Sequence, residues 1–269
     1  MKVVILAGGK GTRFAEETHA RPKPMIEIGG KPILWHIMKH FNAHGCRDVN
    51  VALGYKGDFI KLWFVDHQLL RGGFGVKESA GVSFPPEEDE DWNVNLVDTG
   101  LETQTGGRIK AVGKTLGNEP FLLTWGDGVS DLNVQELIQF HRQHGKLATM
   151  VVAHPPARFG HVVMDGDLIT NFEEKPKHRE GWINAGIFVL EPQVLSYIGG
   201  PETEFERGPL DTLAKHGQLM AYRHEGFWQC MDTIHDRKVL EELWAKGSAP
   251  WTSWEQNQSA PSLRVISGM

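Results

Sequence analysis

Val3-Val4-Ile5-Leu6-Ala7-Gly8-Gly9-Lys10-Gly11-Thr12-Arg13, close to the amino end, decides how the rest of the chain is read. Its first five residues are continuously apolar and rich in β-branched side chains, which predicts a strand buried on both faces. The glycine-rich turn follows at once. Glycines permit positive φ and close backbone approach, so successive N–H groups can face inward toward an anion. Lys10 and Arg13 add fixed positive charge, and a guanidinium can grip a phosphate with two parallel bonds. The same string also suits a plain turn carrying solvated cations. Two familiar phosphate loops are excluded. A P-loop needs Gly-Lys-Ser/Thr after its spacer, whereas Gly11 is followed by Thr12-Arg13. The dinucleotide fingerprint needs a third small residue where Phe14 stands, which disfavours a dehydrogenase.

Working outward, strand and helix alternate. Pro32 is placed to start a helix, and Ile33, Leu34, Ile37, Met38 and Phe41 recur at helical spacing before Gly45. Val49 to Leu53 reads as the next strand and Phe59 to Leu70 as a second helix. Ser83 to Asp91, with two prolines and an acidic run, reads as an exposed loop. Phe121 to Trp125 is another strand, Val134 to His144 an amphipathic helix, and Thr149 to Ala153 a further strand. This order predicts an α/β fold with a doubly wound, mostly parallel sheet. The next stretch is more β-like, with strand candidates at Val162 to Met164, Ile169 to Phe172 and Ile183 to Leu190. No linker interrupts it, so residues 1–254 are expected to form a single domain. Its first part runs to about residue 150 and a smaller β-rich part covers about 151–240. Residues 255–269 read as a polar tail.

The 269 residues carry 28 Lys and Arg against 34 Asp and Glu, a formal charge of −6. That balance argues against nucleic-acid binding through bulk positive charge, though not against a local cationic pocket. Cys46 and Cys230 are the only cysteines, which disfavours a disulfide framework or a cysteine zinc site. The apolar run at the amino end is too short for a signal peptide, and no run approaches a membrane span. A cytoplasmic protein with neither a membrane nor a nucleic-acid partner is expected.

Arg21-Pro22-Lys23-Pro24-Met25 is the second chemical element. Prolines on both sides restrict the backbone at Lys23, which predicts a lysine on a stiff, extended support. Asp127 follows a strand and lies between Gly126 and Gly128. Its carboxylate should therefore emerge at the carboxyl edge of the sheet, where open α/β folds bind ligands. Residue chemistry alone equally allows a turn-forming aspartate. His36, His40 and His44 share one helix face, but no Cys or acidic partner at metal spacing accompanies them. Trp244, Trp251 and Trp254 are expected to pack the carboxyl end onto the core or a neighbouring subunit.

The run from Leu6 through Gly11-Thr12-Arg13 to Pro22-Lys23-Pro24-Met25 resembles the signature of the sugar-1-phosphate nucleotidyltransferases. Over nearly the whole length, to about Trp254, the chain is most similar to the glucose-1-phosphate cytidylyltransferases among them. The likeness includes Gly54-Tyr55-Lys56-Gly57, Val97-Asp98-Thr99-Gly100 and Thr105-Gly106-Gly107-Arg108. It continues through Gly126-Asp127-Gly128-Val129, Glu174-Lys175-Pro176-Lys177 and Met231-Asp232-Thr233. Phe14, Arg21, Trp125 and His235 depart from the usual family residues.

The resemblance implies that CTP and α-D-glucose 1-phosphate give CDP-glucose and pyrophosphate, with Mg2+, for CDP-sugar and surface (lipopolysaccharide) polysaccharide synthesis. It implies a homo-oligomer. It puts Leu6, Ala7, Gly8, Gly9, Lys10, Gly11, Thr12 and Arg13 in the nucleotide site with Lys23, Thr103, Arg108 and Asp127. Arg13, Lys23 and Asp127 are the implied catalytic residues, and Asp127 and Asp232 the implied metal ligands. Glu174, Lys175 and Lys177, joined by Asn184 and Gly186, are expected to hold the sugar phosphate, in the part covering about 151–240. Arginine only donates hydrogen bonds. An Arg108 reaching O2 or N3 of the base would therefore favour cytosine over uracil. The alternatives are a UTP- or dTTP-dependent enzyme of the same type and a non-catalytic sugar-nucleotide sensor on the same fold.

Overall fold

The computed structural model describes residues 1–71, 75–77, 81–83, 92–155, 161–173, 181–252 and 254. The expected loop at residues 84–91 and the tail at 255–269 lie outside them. The central feature is a seven-stranded sheet. Its spatial order is Leu219–His224, Ala148–Ala153, Ile183–Leu190, Phe121–Trp125, Lys2–Leu6, Asp48–Leu53 and Asn93–Asp98. Ile183–Leu190 runs antiparallel to both neighbours, and every other adjacent pair is parallel. The sheet is therefore mostly parallel.

The amino-terminal strand lies inside the sheet, fifth in that order, with Val3, Val4 and Ile5 fully buried. Val3 and Ile5 belong to one apolar cluster, while Val4 belongs to another on the opposite face. A strand that alternates its side chains between two cores must be apolar at every position, which is the pattern its sequence carries. Val134–His144 begins and ends as read. The Asn133 side chain accepts from Gln135 and Glu136 amides, and Gly145 closes the helix in the left-handed region at φ 62°. Elements not read from the sequence include the two edge strands Asn93–Asp98 and Leu219–His224 and the helices Thr105–Gly113, Pro209–Lys215 and Ile234–Ala245.

The β-rich later part is not a separate sheet. Ile183–Leu190 and Leu219–His224 join the main one, and only His161–Asp165 and Leu168–Glu173 pair as an outlying hairpin. Trp251 is fully buried and stacks on Phe227, while Trp244 and Trp254 pack against the same core. The carboxyl end thus closes onto the core.

His36 is fully buried inside this aromatic group. Its Nε2 donates to the Ile28 carbonyl at 2.9 Å, and its Nδ1 accepts from the Trp251 indole at 3.3 Å. One tautomer of the neutral ring satisfies both bonds, so His36 serves the core and is not a metal ligand. Burial pushes its pKa down from 6.5 to about 4, and burial aided by His44 pushes that of His40 down to about 3. In that window the unfolded chain binds protons that the folded chain refuses. What these two histidines contribute to stability is therefore complete above about pH 6.5 and should fall on acidification toward pH 4. The slope is about 1.4 kcal/mol per pH unit per histidine. Urea midpoints at pH 7 and pH 5 measure this; His36→Gln should flatten the profile, and equal wild-type midpoints would contradict it.

Candidate active site

The site forms where the parallel strands end. After Trp125 the Gly126 amide donates to the Leu6 carbonyl at 3.0 Å, and a Cβ on Gly126 would lie 2.7 Å from that same oxygen. Only glycine lets the chain pass so close to the amino-terminal strand and present Asp127 at once. Asp232 comes from 105 positions further along. Gly128–Ser130 and Trp228–Cys230 form a short antiparallel ladder, Gly128 opposite Cys230, and the Met231 amide donates to the Asp127 carbonyl at 2.8 Å. Asp232 is then fixed by the next helix. Its amide donates to Asp236 Oδ2 at 3.1 Å, and Asp236 closes a reciprocal cap with Thr233 at the start of Ile234–Ala245.

Lys23 lies between the two acids. Its Nζ donates to Asp127 Oδ2 at 2.6 Å and also to Asp232 Oδ1. Burial opposes the charge on the ammonium, but the hydrogen bonds and field of Asp127 and Asp232 prevail and raise its pKa above 10.5. The support of Lys23 differs from the expected extended one. Pro22 is extended at ψ 148°, but Lys23–Met25 forms a single 3-10 turn, with the Met25 amide on the Pro22 carbonyl at 2.8 Å. Pro24 tolerates this because the first turn of a helix needs no N–H from it.

A cavity of about 640 Å³ opens over these groups. Its wall includes Leu6, Ala7, Gly8, Gly9, Gly11, Thr12, Lys23, Thr103, Arg108, Asp127, Asn184 and Asp232 from the expected set. Gly11 has φ 63°, which the turn requires. Lys10 is not part of the wall: it is half exposed and paired with Glu102 at 2.8 Å. The backbone of Arg13 sits in the 3-10 turn Thr12–Phe14, and its side chain lies outside the described residues. Glu174, Lys175 and Lys177 also lie outside them.

Two of the expected residues have structural partners of their own. Gly186 does not line the cavity. Its φ is 74°, a Cβ there would overlap the Trp125 ring, and the register with Ala148–Ala153 slips beside it. It makes a bulge whose amide is held by Asn184 Oδ1 at 2.8 Å, and the neighbouring Ala185 carbonyl accepts from the Trp228 indole at 2.8 Å.

Arg108 lines the cavity yet is 4% exposed. Its Nη1 donates to the Leu53 carbonyl at 3.0 Å and to Thr99 Oγ1 and the Gly100 carbonyl, both at 2.7 Å. Its Nη2 donates to the carbonyls of Gly8 at 3.1 Å and Leu101 at 3.2 Å. The terminal nitrogens are filled by protein acceptors, so the guanidinium ties the glycine loop to the end of Asp48–Leu53 and to the turn at residues 99–101. It also explains two glycines, since a Cβ on Gly8 or Gly54 would collide with it.

Thr105, Glu204, Glu206, Trp228 and Cys230 also line the cavity and were not singled out from sequence. The segment carrying the two glutamates lies across the start of Thr105–Gly113. The Gln104 amide donates to the Pro201 carbonyl and the Phe205 amide to Thr105 Oγ1, both at 2.8 Å. Gly106 and Gly107 face Thr203 and Pro201 too closely for any Cβ. The paired glycines of the Thr-Gly-Gly-Arg motif were the available signal. Burial, then Asp232 and Asp127, push the Cys230 thiol up to about 12, so it stays protonated and is no nucleophile.

Residues 2–232 match the nucleotidyl transferase family. The glucose-1-phosphate cytidylyltransferase of Salmonella typhi is 49% identical over 258 residues, spanning 95% of this chain and 100% of that protein. A protein of Bacillus subtilis (strain 168), named as a probable glucose-1-phosphate cytidylyltransferase, is 40% identical over 94% of this chain and all of its own length. Among solved structures, HddC from Yersinia pseudotuberculosis superposes with a TM-score of 0.67 at 23% identity, covering 90% of this chain and 99% of its own. That last likeness is one of fold.

Arg108→Ala removes the donor shared by four backbone carbonyls, and leaving buried acceptors unpaired costs about 1–3 kcal/mol. Thermal unfolding should therefore move to lower temperature. A variant as stable as the parent chain would return Arg108 to a purely ligand-reading role.

Proposed function

Because this chain belongs to the nucleotidyl transferase family, we propose that it transfers the cytidylyl group of CTP to α-D-glucose 1-phosphate, giving CDP-glucose and pyrophosphate. The observation that carries the reading is the meeting of Lys23, Asp127 and Asp232 in one cavity beside the glycine loop. The full-length likeness to the Salmonella typhi and Bacillus subtilis proteins selects the nucleotide and the sugar.

In this reading a phosphate oxygen of the sugar phosphate attacks the α-phosphorus of CTP. A new P–O bond forms as the bond to the β-phosphate oxygen breaks, and pyrophosphate leaves with that electron pair. Such a displacement needs alignment and charge neutralisation more than covalent help. The loop from Gly8 to Arg13 holds the triphosphate, with Lys10 released from Glu102 to meet it. Lys23 brings its charge to the reacting phosphates. Asn184 faces the sugar side, where Glu174, Lys175 and Lys177 complete the acceptor site. Arg108 acts as a positioning residue beneath the loop.

Asp127 and Asp232 fit a magnesium ion, which favours one or two carboxylates together with substrate phosphates and waters. Their two negative charges converge on a point where the free enzyme already keeps a cation, the Lys23 ammonium. When bound, magnesium supplies neutralisation of the triphosphate. Among the described residues no helix is long and apolar enough to cross a membrane. We place the chain in the cytoplasm, where its phosphorylated substrates are found, as a homo-oligomer supplying a CDP-sugar for surface polysaccharide.

Asp127→Asn and Asp232→Asn should each lower turnover by several orders of magnitude in a chain that still folds, as read by pyrophosphate release. Wild-type rates in either would remove the assignment of the acids. With glucose 1-phosphate as acceptor, CTP should outrun UTP and dTTP; a preference for UTP would replace the cytidylyl reading with its nearest alternative. Chelation of divalent cations should abolish turnover, which a non-catalytic sensor would not display at all.

A further inference from the structure

Lys23 has two occupations that exclude each other. Its ammonium is committed to both acids, at 2.6 Å from Asp127 and in direct contact with Asp232, and its side chain is only 12% exposed. Two of its three N–H bonds are thereby used. The backbone also holds the two acids side by side. Their backbones are tied through the Met231 amide on the Asp127 carbonyl, and Asp232 is anchored by its own amide on Asp236. Lys23 is held from behind by the turn between Pro22 and Met25, with Pro24 seated against Gly126. The arrangement is a pinned pair of negative charges with a positive charge supplied by the chain itself.

We propose that Lys23 is the resident counter-ion of the Asp127–Asp232 pair. It yields that pair to a divalent cation far more readily when a triphosphate arrives to take the lysine's own charge. The proposal rests on reading the site as that of a magnesium-dependent nucleotidyl transferase. A cation arriving alone must displace the ammonium and leave it unpaired in a partly buried cleft beside a second positive charge. A triphosphate arriving alone meets two carboxylates against one lysine. Arriving together, the five charged groups exchange partners and none is stranded. Cation and triphosphate binding are therefore positively coupled, and linkage makes the coupling equal in both directions. The enzyme takes up its metal with the nucleotide and holds little of it beforehand.

Lys10 provides the contrast. Its partner is the exposed Glu102, at the rim, and it touches neither aspartate. Removing it changes the charge of the site without freeing the acids.

The test reads binding, not turnover. Free Mn2+ is titrated by electron paramagnetic resonance against the full chain without nucleotide. Lys23→Met should bind Mn2+ about tenfold or more tightly than wild type, and Lys10→Met should match wild type. An unchanged or weaker affinity in Lys23→Met, or equal tightening in Lys10→Met, overturns the proposal. A second measurement uses the wild-type chain and so does not depend on a variant folding. Acetylation of Lys23, followed by mass spectrometry, should be slow in the free enzyme. It should rise under saturating Mg2+ alone and fall again when inorganic tripolyphosphate is added with Mg2+. A rate indifferent to Mg2+ overturns the exchange. If CTP turnover is intact while these readouts stay flat, the inference fails and the activity stands. If the exchange occurs but UTP is preferred, the nucleotide assignment fails and the exchange stands.

Discussion

Two carboxylates set side by side by a shared backbone ladder favour a cation between them, and much of the local structure exists to create that situation. The backbone ladder between Gly128–Ser130 and Trp228–Cys230 brings Asp127 and Asp232 to one place across 105 residues of chain. Like charges held this way repel unless a positive group intervenes. The Pro22–Met25 turn delivers one on a support whose proline packs against the glycine before Asp127. The three groups form one electrostatic unit whose members come from the first, middle and last parts of the chain.

Arg108 plays a comparable part beside the glycine loop. A guanidinium can serve several carbonyls at once because its donors are fixed in a plane. Here it collects carbonyls from Gly8, Gly100 and Leu101, which follow the strands Lys2–Leu6 and Asn93–Asp98, and from Leu53, which ends Asp48–Leu53. Gly8 is a glycine because the guanidinium packs against it. The glycine loop thus owes its shape partly to a residue 100 positions away, which no reading of the loop itself would suggest.

Several elements read correctly from sequence share a physical feature: their burial is complete on one or both faces, so their apolar pattern is unbroken. Lys2–Leu6, Phe121–Trp125 and Val134–His144 are of this kind, although the exposed hairpin His161–Asp165 and Leu168–Glu173 was legible without such burial. The two edge strands were missed because half of each faces outward and the pattern is diluted: Asn93–Asp98 has no fully buried residue and Leu219–His224 one. Thr105–Gly113 was hidden by Gly106 and Gly107, which weaken a helix but here admit the segment bearing Glu204 and Glu206. Ile234–Ala245 carried a legible signal in Thr233 and Asp236, the two halves of its cap.

The sequence by itself determined the fold class, because alternating buried strands and amphipathic helices have few ways to cover their apolar faces. It also determined the inventory of charges at the site, since the glycine loop, the proline-flanked lysine and the glycine-flanked aspartate are local patterns. Tertiary structure alone decided how those charges are spent. It paired Lys23 with both acids, Lys10 with Glu102 and Arg108 with backbone carbonyls, and it turned Gly186 into a bulge. Partner choice depends on distances between residues far apart in the chain, and such distances exist only once the sheet has assembled.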